Sequence, residues 1–185
     1  MTRIFALLGL LLLFPQAGLS ADWAVDPAKS RLGFSSIQTG QPFEGVFKNW
    51  SAKISLDPDD LSAASIRVEI DMASVDTSDM QRDSVLPEVE WFDVAHFPKA
   101  VFESKNVRLI EGNKYEAEGT LTIRGIGKKV LLPFTLEIDG AVAQAAGGLT
   151  LVRTDFGVGQ NMWASGQWIG LEVKVTFEIR ASTGE

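Results

Sequence analysis

Several segments of this chain alternate apolar and polar residues with a period of two. In residues 171–180, Leu, Val, Phe and Ile occupy every second position, and Glu, Lys, Thr and Arg fill the positions between them. Successive residues of a strand point to opposite faces, so each such segment predicts a strand with one dry and one wet face. Further segments of this kind lie at residues 50–56, 66–71, 115–124 and 129–139. The pattern predicts an all-β, antiparallel chain and leaves a sandwich and a closed barrel both open.

The alternation has one long interruption, residues 74–104, between the segments at 66–71 and 115–124. Asp79 can cap a helix and Pro87 should end it, which predicts one short helix around residues 79–86. The adjacent Arg82 and Asp83 are expected to fix the connection through hydrogen bonds or a salt bridge. Connections of this length usually carry function or close a site.

Short motifs that span almost the whole chain resemble, in order, the YceI-like family of periplasmic, lipocalin-like proteins associated with polyisoprenoid binding. The motifs are Trp23-Ala24-Val25-Asp26, Ser74-Val75-Asp76-Thr77, Arg82-Asp83, Trp91-Phe92-Asp93, Phe97-Pro98, Val101-Phe102-Glu103-Ser104, Gly119-Thr120-Leu121-Thr122-Ile123-Arg124-Gly125 and Arg153-Thr154-Asp155-Phe156-Gly157. The resemblance favours a barrel over a sandwich and implies an antiparallel, up-and-down, lipocalin-like barrel of about eight strands.

The resemblance also implies an apolar barrel interior that binds one long-chain amphiphile, a polyisoprenoid lipid or an isoprenoid quinone. Small residues at inward positions, Ala52, Ala117 and Gly119, suggest unfilled space, although Gly119 is equally typical of a bulge or bend. The residues expected to line the interior or its mouth are Phe34, Ala52, Ile54, Ile70, Trp91, Phe92, Phe97, Phe102, Ala117, Gly119, Phe134 and Phe177. The alternative is a packed interior without a ligand, in an envelope interaction or stress protein.

Three aromatic residues of the long connection, Trp91, Phe92 and Phe97, either cover the barrel mouth or plug the barrel end as ordinary core. A phosphate head group would need basic residues at that mouth, and the densest basic cluster is Arg124, Lys128 and Lys129. The net charge of −7 favours a neutral head group, such as a quinone ring, over a pyrophosphate.

The first 21 residues predict a secretory signal peptide, with Arg3 before an apolar run and small residues before the cleavage site. Residues 22–185 would then form a single domain in the periplasm. The acidic balance argues against nucleic acid as a partner. Trp163 and Trp168, in a Gly-rich connection, suggest transient contact with membrane head groups. The oligomeric state stays open, a homodimer included.

Catalysis is not expected, and neither is a cofactor or a metal. The chain has one histidine, His96, and no cysteine, whereas zinc sites normally use several nitrogen or sulfur ligands. Family members often carry histidines where this chain has Lys29, Val85 and Arg124, so the resemblance does not extend to a histidine-dependent role. A hydrolase acting on a lipid ester would have to use His96.

Overall fold

Strands dominate the computed structural model, which describes residues 22–183; the predicted signal peptide lies outside the described residues. The strands are β1 (Asp22–Val25), β2 (Arg31–Gln38), β3 (Gln41–Phe47), β4 (Trp50–Asp57), β5 (Asp60–Asp71), β6 (Val75–Asp76), β7 (Lys99–Glu111), β8 (Lys114–Ile123), β9 (Ile126–Asp139), β10 (Val142–Val152) and β11 (Glu172–Thr183). One α-helix, α1, spans Met80–Val85. Short 3-10 helices lie at Pro27–Lys29, Met72–Ser74, Arg153–Phe156 and Asn161–Trp163.

Eight of these strands close into an antiparallel barrel. Their order around the ring is β1, β4, β5, β7, β8, β9, β10 and β11, and β11 pairs with β1 to complete it. Strand β2 continues the chain from β1 and also pairs with β11, while β3 and β6 extend the sheet beyond β2. The predicted all-β barrel of about eight strands is confirmed, and full closure leaves the ring without a free edge.

The two ends of the barrel are built differently. At the end that we name the turn end, tight turns join β4 to β5, β7 to β8 and β9 to β10. At the opposite end, named the loop end, two long connections cross the barrel, residues 72–98 and 153–171. The β2–β3 turn reaches this end as well, because the Thr39 N–H donates to the Trp168 carbonyl at 2.8 Å.

Helix α1 forms where the sequence predicts it. The Asp79 carboxylate accepts from the N–H groups of Gln81 and Arg82, which satisfies two of the amides that a helix N-terminus leaves free. Asp83 accepts from the N–H of Thr77 at 2.8 Å and from its hydroxyl at 2.7 Å. Arg82 donates to Gln38 in the β2–β3 hairpin. The Arg-Asp pair therefore holds the connection in place. Between residues 22 and 183, no helix has the length and apolar character needed to cross a membrane.

Candidate functional site

A cavity of about 250 Å³ lies inside the barrel and is the candidate site. Its wall is almost wholly apolar and takes side chains from the barrel strands and from both long connections. Ile54, Ile66 and Val68 point inward on β4 and β5, yet they are only half-buried because they border this cavity instead of one another. The dry faces of the strands therefore do not fill the interior.

Nine of the twelve residues predicted from the sequence lie on the cavity wall. They are Phe34, Ala52, Ile54, Ile70, Trp91, Phe92, Phe102, Phe134 and Phe177. They come from six strands and from the connection after β6, which the barrel closure brings around one space. That these side chains contact a ligand stays a prediction.

The other three predicted residues do not border the cavity. Ala117 is fully buried, and the space beside Gly119 is occupied by the ring of Phe102, so the expectation of free volume at this glycine was wrong. A Cβ atom at Gly119 would lie 2.5 Å from that ring. Phe97 packs against Gly125 in the β8–β9 turn, and the guanidinium of Arg124 lies 5.9 Å from the centre of its ring.

The loop end is closed by a layer of connections held together by Glu90. Its carboxylate accepts from Asn161 Nδ2 at 2.7 Å and from Trp163 Nε1 at 2.9 Å, and its carbonyl accepts from the amides of Gly159 and Gln160. We call residues 77–98 and 153–171 together the loop layer. Trp91 and Phe92 of this layer form part of the cavity wall, so they line the interior instead of lying outside it.

The densest basic cluster of the sequence, Arg124, Lys128 and Lys129, does not border the cavity. The side chain of Arg124 is buried, and it donates to the carbonyls of Val89 and Trp91, which ties the β8–β9 turn to the loop layer. Lys128 and Lys129 are exposed on β9, and neither borders the cavity. This cluster therefore offers no site for a phosphate head group on the cavity wall.

Arg153 reaches the cavity wall, although its place in the sequence did not predict a site residue. It is 4% exposed, and its guanidinium donates to the carbonyls of five residues. The five acceptors are Val158, Gly159, Trp163, Ile169 and Gly170. Burial lowers the pKa of Arg153, since no carboxylate within residues 22–183 pairs with it to offset the loss of hydration. The available signal was an arginine just before residues 156–171, which contain no charge.

Few polar groups of the wall are free. The Ser36 hydroxyl donates to the Glu172 carbonyl at 2.8 Å, and all five N–H groups of Arg153 have acceptors. Trp91 Nε1 is the one buried side-chain polar atom without a hydrogen-bond partner in the described part of the chain. The cavity thus suits a hydrocarbon chain, for which no polar group needs to be satisfied.

The single histidine lies away from this cavity. His96 Nδ1 is 2.8 Å from Asp93 Oδ1, and 73% of its side chain is exposed. Among residues 22–183, no group of three or more His, Cys, Asp or Glu side chains is placed to hold a metal ion. Neither His96 nor Asp93 lies on the cavity wall.

The comparisons with known proteins agree with this architecture. Residues 23–181 match the model of the YceI-like domain. A UPF0312 protein of Pseudomonas savastanoi pv. phaseolicola is 30% identical over 166 residues, which cover 82% of this chain and 83% of that protein.

Two solved structures extend the comparison to the fold. The crystal structure of Burkholderia cenocepacia BcnA superposes with a TM-score of 0.82 at 35% identity, covering 85% of this chain and 99% of BcnA. A polyisoprenoid-binding domain from Saccharophagus degradans superposes with a TM-score of 0.73 at 17% identity, covering 89% and 99% of the two chains, and supports the fold alone. The sequence match over residues 23–181 and the shared barrel lead to one conclusion: this chain belongs to the YceI-like domain family.

Proposed function

We propose that this protein is a periplasmic carrier for a long-chain amphiphile, a polyisoprenoid lipid or an isoprenoid quinone, whose chain lies in the barrel. The observation that carries this proposal is the cavity of about 250 Å³ with its apolar wall. The barrel fold is shared with a domain that binds polyisoprenoid, so the architecture is compatible with such a ligand. The signal peptide predicted from the sequence supports the periplasmic location.

The energetics of transfer favour a carrier over a permanent store. Burying one five-carbon isoprene unit from water is worth about 3–4 kcal/mol. A lipid that resides in a bilayer, however, exchanges one apolar environment for another when its tail enters the barrel. The net free energy per unit is then small, so the protein can load and unload close to equilibrium.

A ligand-free protein with a packed interior is the alternative, and the cavity argues against it. The inward side chains of β4 and β5 would have to be fully buried against one another, whereas Ile54, Ile66 and Val68 face open space. Non-catalytic binding is also the better match to the wall, where the Ser36 hydroxyl and the Arg153 guanidinium both donate to backbone carbonyls.

Ligand exchange with a bilayer requires membrane contact, and the loop end supplies a suitable surface. Residues 32–43 and 156–171 carry no charge, although the chain as a whole has a net charge of −7. Met162 is 61% exposed and Trp168 is 45% exposed on this end. Uncharged segments with an exposed indole suit the interface of a zwitterionic bilayer, where Trp is enriched. We include transient docking of the loop end on such a surface in the proposal.

The docking surface is tested with vesicles of phosphatidylcholine and phosphatidylethanolamine. The double variant Met162→Ser and Trp168→Ser should reduce vesicle co-sedimentation several-fold. The control is Leu109→Ser with Ile110→Ser, which removes a comparably exposed apolar pair beside Glu111 near the turn end. This control should leave vesicle co-sedimentation unchanged. Equal losses in the two variants would remove the loop end from the proposal.

The ligand-binding proposal is tested by filling the cavity. Ala145 lies on the wall, and its neighbour Ala146 points outward on the same strand. Ala145→Phe should greatly weaken the binding of a prenyl quinone measured by titration calorimetry, whereas Ala146→Phe should bind as wild type does. Unchanged binding in Ala145→Phe, with both variants folded by circular dichroism, would contradict a ligand inside the barrel.

A further inference from the structure

The ring of strands is closed, but the boundary between β9 and β10 is paired over only part of its length. The ladder begins at the pair Asp139–Val142, beside the turn end, and stops at the pair Phe134–Gly147. Beyond that pair, residues 126–133 of β9 are paired with β8 alone, and residues 148–152 of β10 are paired with β11 alone. We call these two facing segments, 126–133 and 148–152, the seam. The seam reaches the loop end, where β9 begins and β10 ends.

The residues at the end of the ladder explain why pairing stops there. Pro133 has no N–H group to donate, and a proline within a strand is typical of an edge. A Cβ atom at Gly147 would lie 2.3 Å from the Pro133 carbonyl oxygen, and a Cβ atom at Gly148 would lie 2.2 Å from that of Val175. Only glycine permits such approaches, and glycines within a strand are typical of a bend. The seam therefore follows from the sequence at residues 133, 147 and 148.

The cavity lies directly behind the seam. Both of its segments contribute inward side chains to the cavity wall, namely Val130, Leu132, Leu149 and Leu151. On the outer face of the same stretch, Leu131 is 51% exposed. Apolar side chains therefore lie on both faces of the barrel wall at the seam.

A short segment of the loop layer covers the seam. The 3-10 helix Arg153–Phe156 packs against both β9 and β10, and Phe156 is buried on the cavity wall. A Cβ atom at Gly157 would lie 3.5 Å from Ile126 Cδ1, which places the end of this cover against the start of β9. Within residues 22–183, no hydrogen bond joins residues 153–158 to β9. Movement of β9 away from the cover therefore breaks apolar contacts and no hydrogen bond, so a local opening here is inexpensive.

We propose that the apolar chain of the ligand enters and leaves the barrel sideways, through the seam, and that Phe156 is the side chain that covers this route. The inference rests on the proposed carrier function and adds the path by which the cavity exchanges its ligand. A lateral opening admits a long chain along its side, without threading of the whole chain through one end of the barrel. The seam also meets the end that we propose for membrane contact, so the chain can pass from bilayer to cavity without exposure to water.

The test places a covalent crosslink across the seam, in a chain that has no cysteine of its own. Leu131→Cys and Thr150→Cys are combined and joined by a short bis-maleimide. Both positions are exposed, and they would face each other if the ladder continued. The control joins Thr135→Cys to Ala146→Cys, which are paired partners on the same two strands where the ladder is intact. Circular dichroism checks that both crosslinked proteins are folded.

Exchange is measured with a farnesyl benzoquinone, whose ring quenches the fluorescence of tryptophans on the cavity wall. Stopped flow gives the rate constant of uptake, and transfer to empty vesicles gives that of release. The crosslink across the seam should lower both rate constants at least about tenfold and change Kd less than about twofold, because it blocks the path without changing the bound state. The control should exchange at the wild-type rates. Phe156→Ala should raise both rate constants, since it removes the cover.

Wild-type rates in the protein crosslinked across the seam would overturn the lateral route and leave the carrier function standing. Equal slowing in the two crosslinked proteins would overturn it as well, because general stiffening of the barrel would then limit exchange. Rates in Phe156→Ala no higher than those of wild type would remove Phe156 as the cover. Failure of the wild type to bind the quinone would instead overturn the carrier function.

Discussion

The two ends of the barrel close the apolar interior in different ways. At the turn end, short hairpin turns bring neighbouring strands together, and Asp57, Asp59, Asp60, Glu111 and Asp139 make them acidic. At the loop end, closure depends on side-chain hydrogen bonds, above all those from Arg153 to backbone carbonyls and those from Asn161 and Trp163 to the Glu90 carboxylate. The turn end is therefore fixed by local contacts between neighbouring strands. The other is held by a few side-chain contacts between its two connections.

The largest effect is expected from Arg153→Met. The variant removes the guanidinium and leaves five carbonyls of the loop layer without their donor. Since each buried unsatisfied group is costly, we expect a loss of at least about 3 kcal/mol in the free energy of unfolding, measured by equilibrium urea denaturation. The free energy of unfolding of Arg153→Lys, which keeps the charge with fewer donors, should lie between those of Arg153→Met and wild type. A loss below about 1 kcal/mol would show that the loop layer does not depend on this residue.

A pair of glycine variants compares the two ends directly. Gly159 in the loop layer has φ of +80°, and an added Cβ would collide with the Arg153 guanidinium. Gly140 in a turn at the opposite end has φ of +58° and open space around it. We expect Gly140→Ala to cost about 1 kcal/mol from backbone strain alone. Gly159→Ala should cost about 2–4 kcal/mol, because steric overlap adds to the strain. Thermal unfolding monitored by circular dichroism would contradict the comparison if the two losses were equal.

A smaller and more local effect is expected from Glu90→Ala. The variant removes the acceptor of Asn161 and Trp163 and should lower the free energy of local opening by about 1–2 kcal/mol. Hydrogen exchange should therefore speed up at the amides of residues 159–163 and stay unchanged in the turn between β7 and β8. Faster exchange at both ends would mean that Glu90 supports the whole barrel instead of the loop layer.

The smallest effect on stability is expected on the outer face of the barrel, away from the closure of either end. Hydrogen bonds from Lys99 and then Arg67 lower the pKa of Glu69 from its ordinary value of 4.5 to about 2. Because the pKa is lower in the folded state, this carboxylate stabilises the fold above pH 4.5, and the contribution is lost as the pH falls towards 2. The melting temperature of Glu69→Gln should lie slightly below that of wild type at pH 7, and the gap should close by pH 2. A gap that widens on acidification would contradict this assignment.

The difference between the ends also explains what the sequence could and could not reveal. Alternation and turn residues are local signals, so β5, β8, β9 and the turn at Asp139 and Gly140 were readable directly. Nine of the twelve predicted residues lie on the wall, since alternation indicated the inward positions of strands and the family resemblance implied a closed barrel. Helix α1 was readable as well, since Asp79 caps it from within the same segment.

The contacts of the loop end join residues far apart in sequence and leave no local pattern. Glu90 and Trp163 are 73 residues apart, so no residue near Glu90 in the sequence indicates its partner. The role of Arg124 was not predictable because its acceptors, Val89 and Trp91, lie in another connection. The choice at Gly119 between free space and a bulge stayed open for a similar reason, since the Phe102 ring that fills its space comes from the neighbouring strand β7, where the register shifts beside its partner Ser104.

The central claim, that the barrel holds a lipid, is tested most directly by native mass spectrometry. The full chain, including the predicted signal peptide, is expressed in a Gram-negative host and purified from the periplasm without denaturant or detergent. We predict a discrete mass excess that extraction identifies as a prenyl quinone or another prenyl lipid, and Ala145→Phe should lack it. An apo mass that persists after incubation with such lipids would contradict the claim and leave the cavity without the ligand that we assign to it.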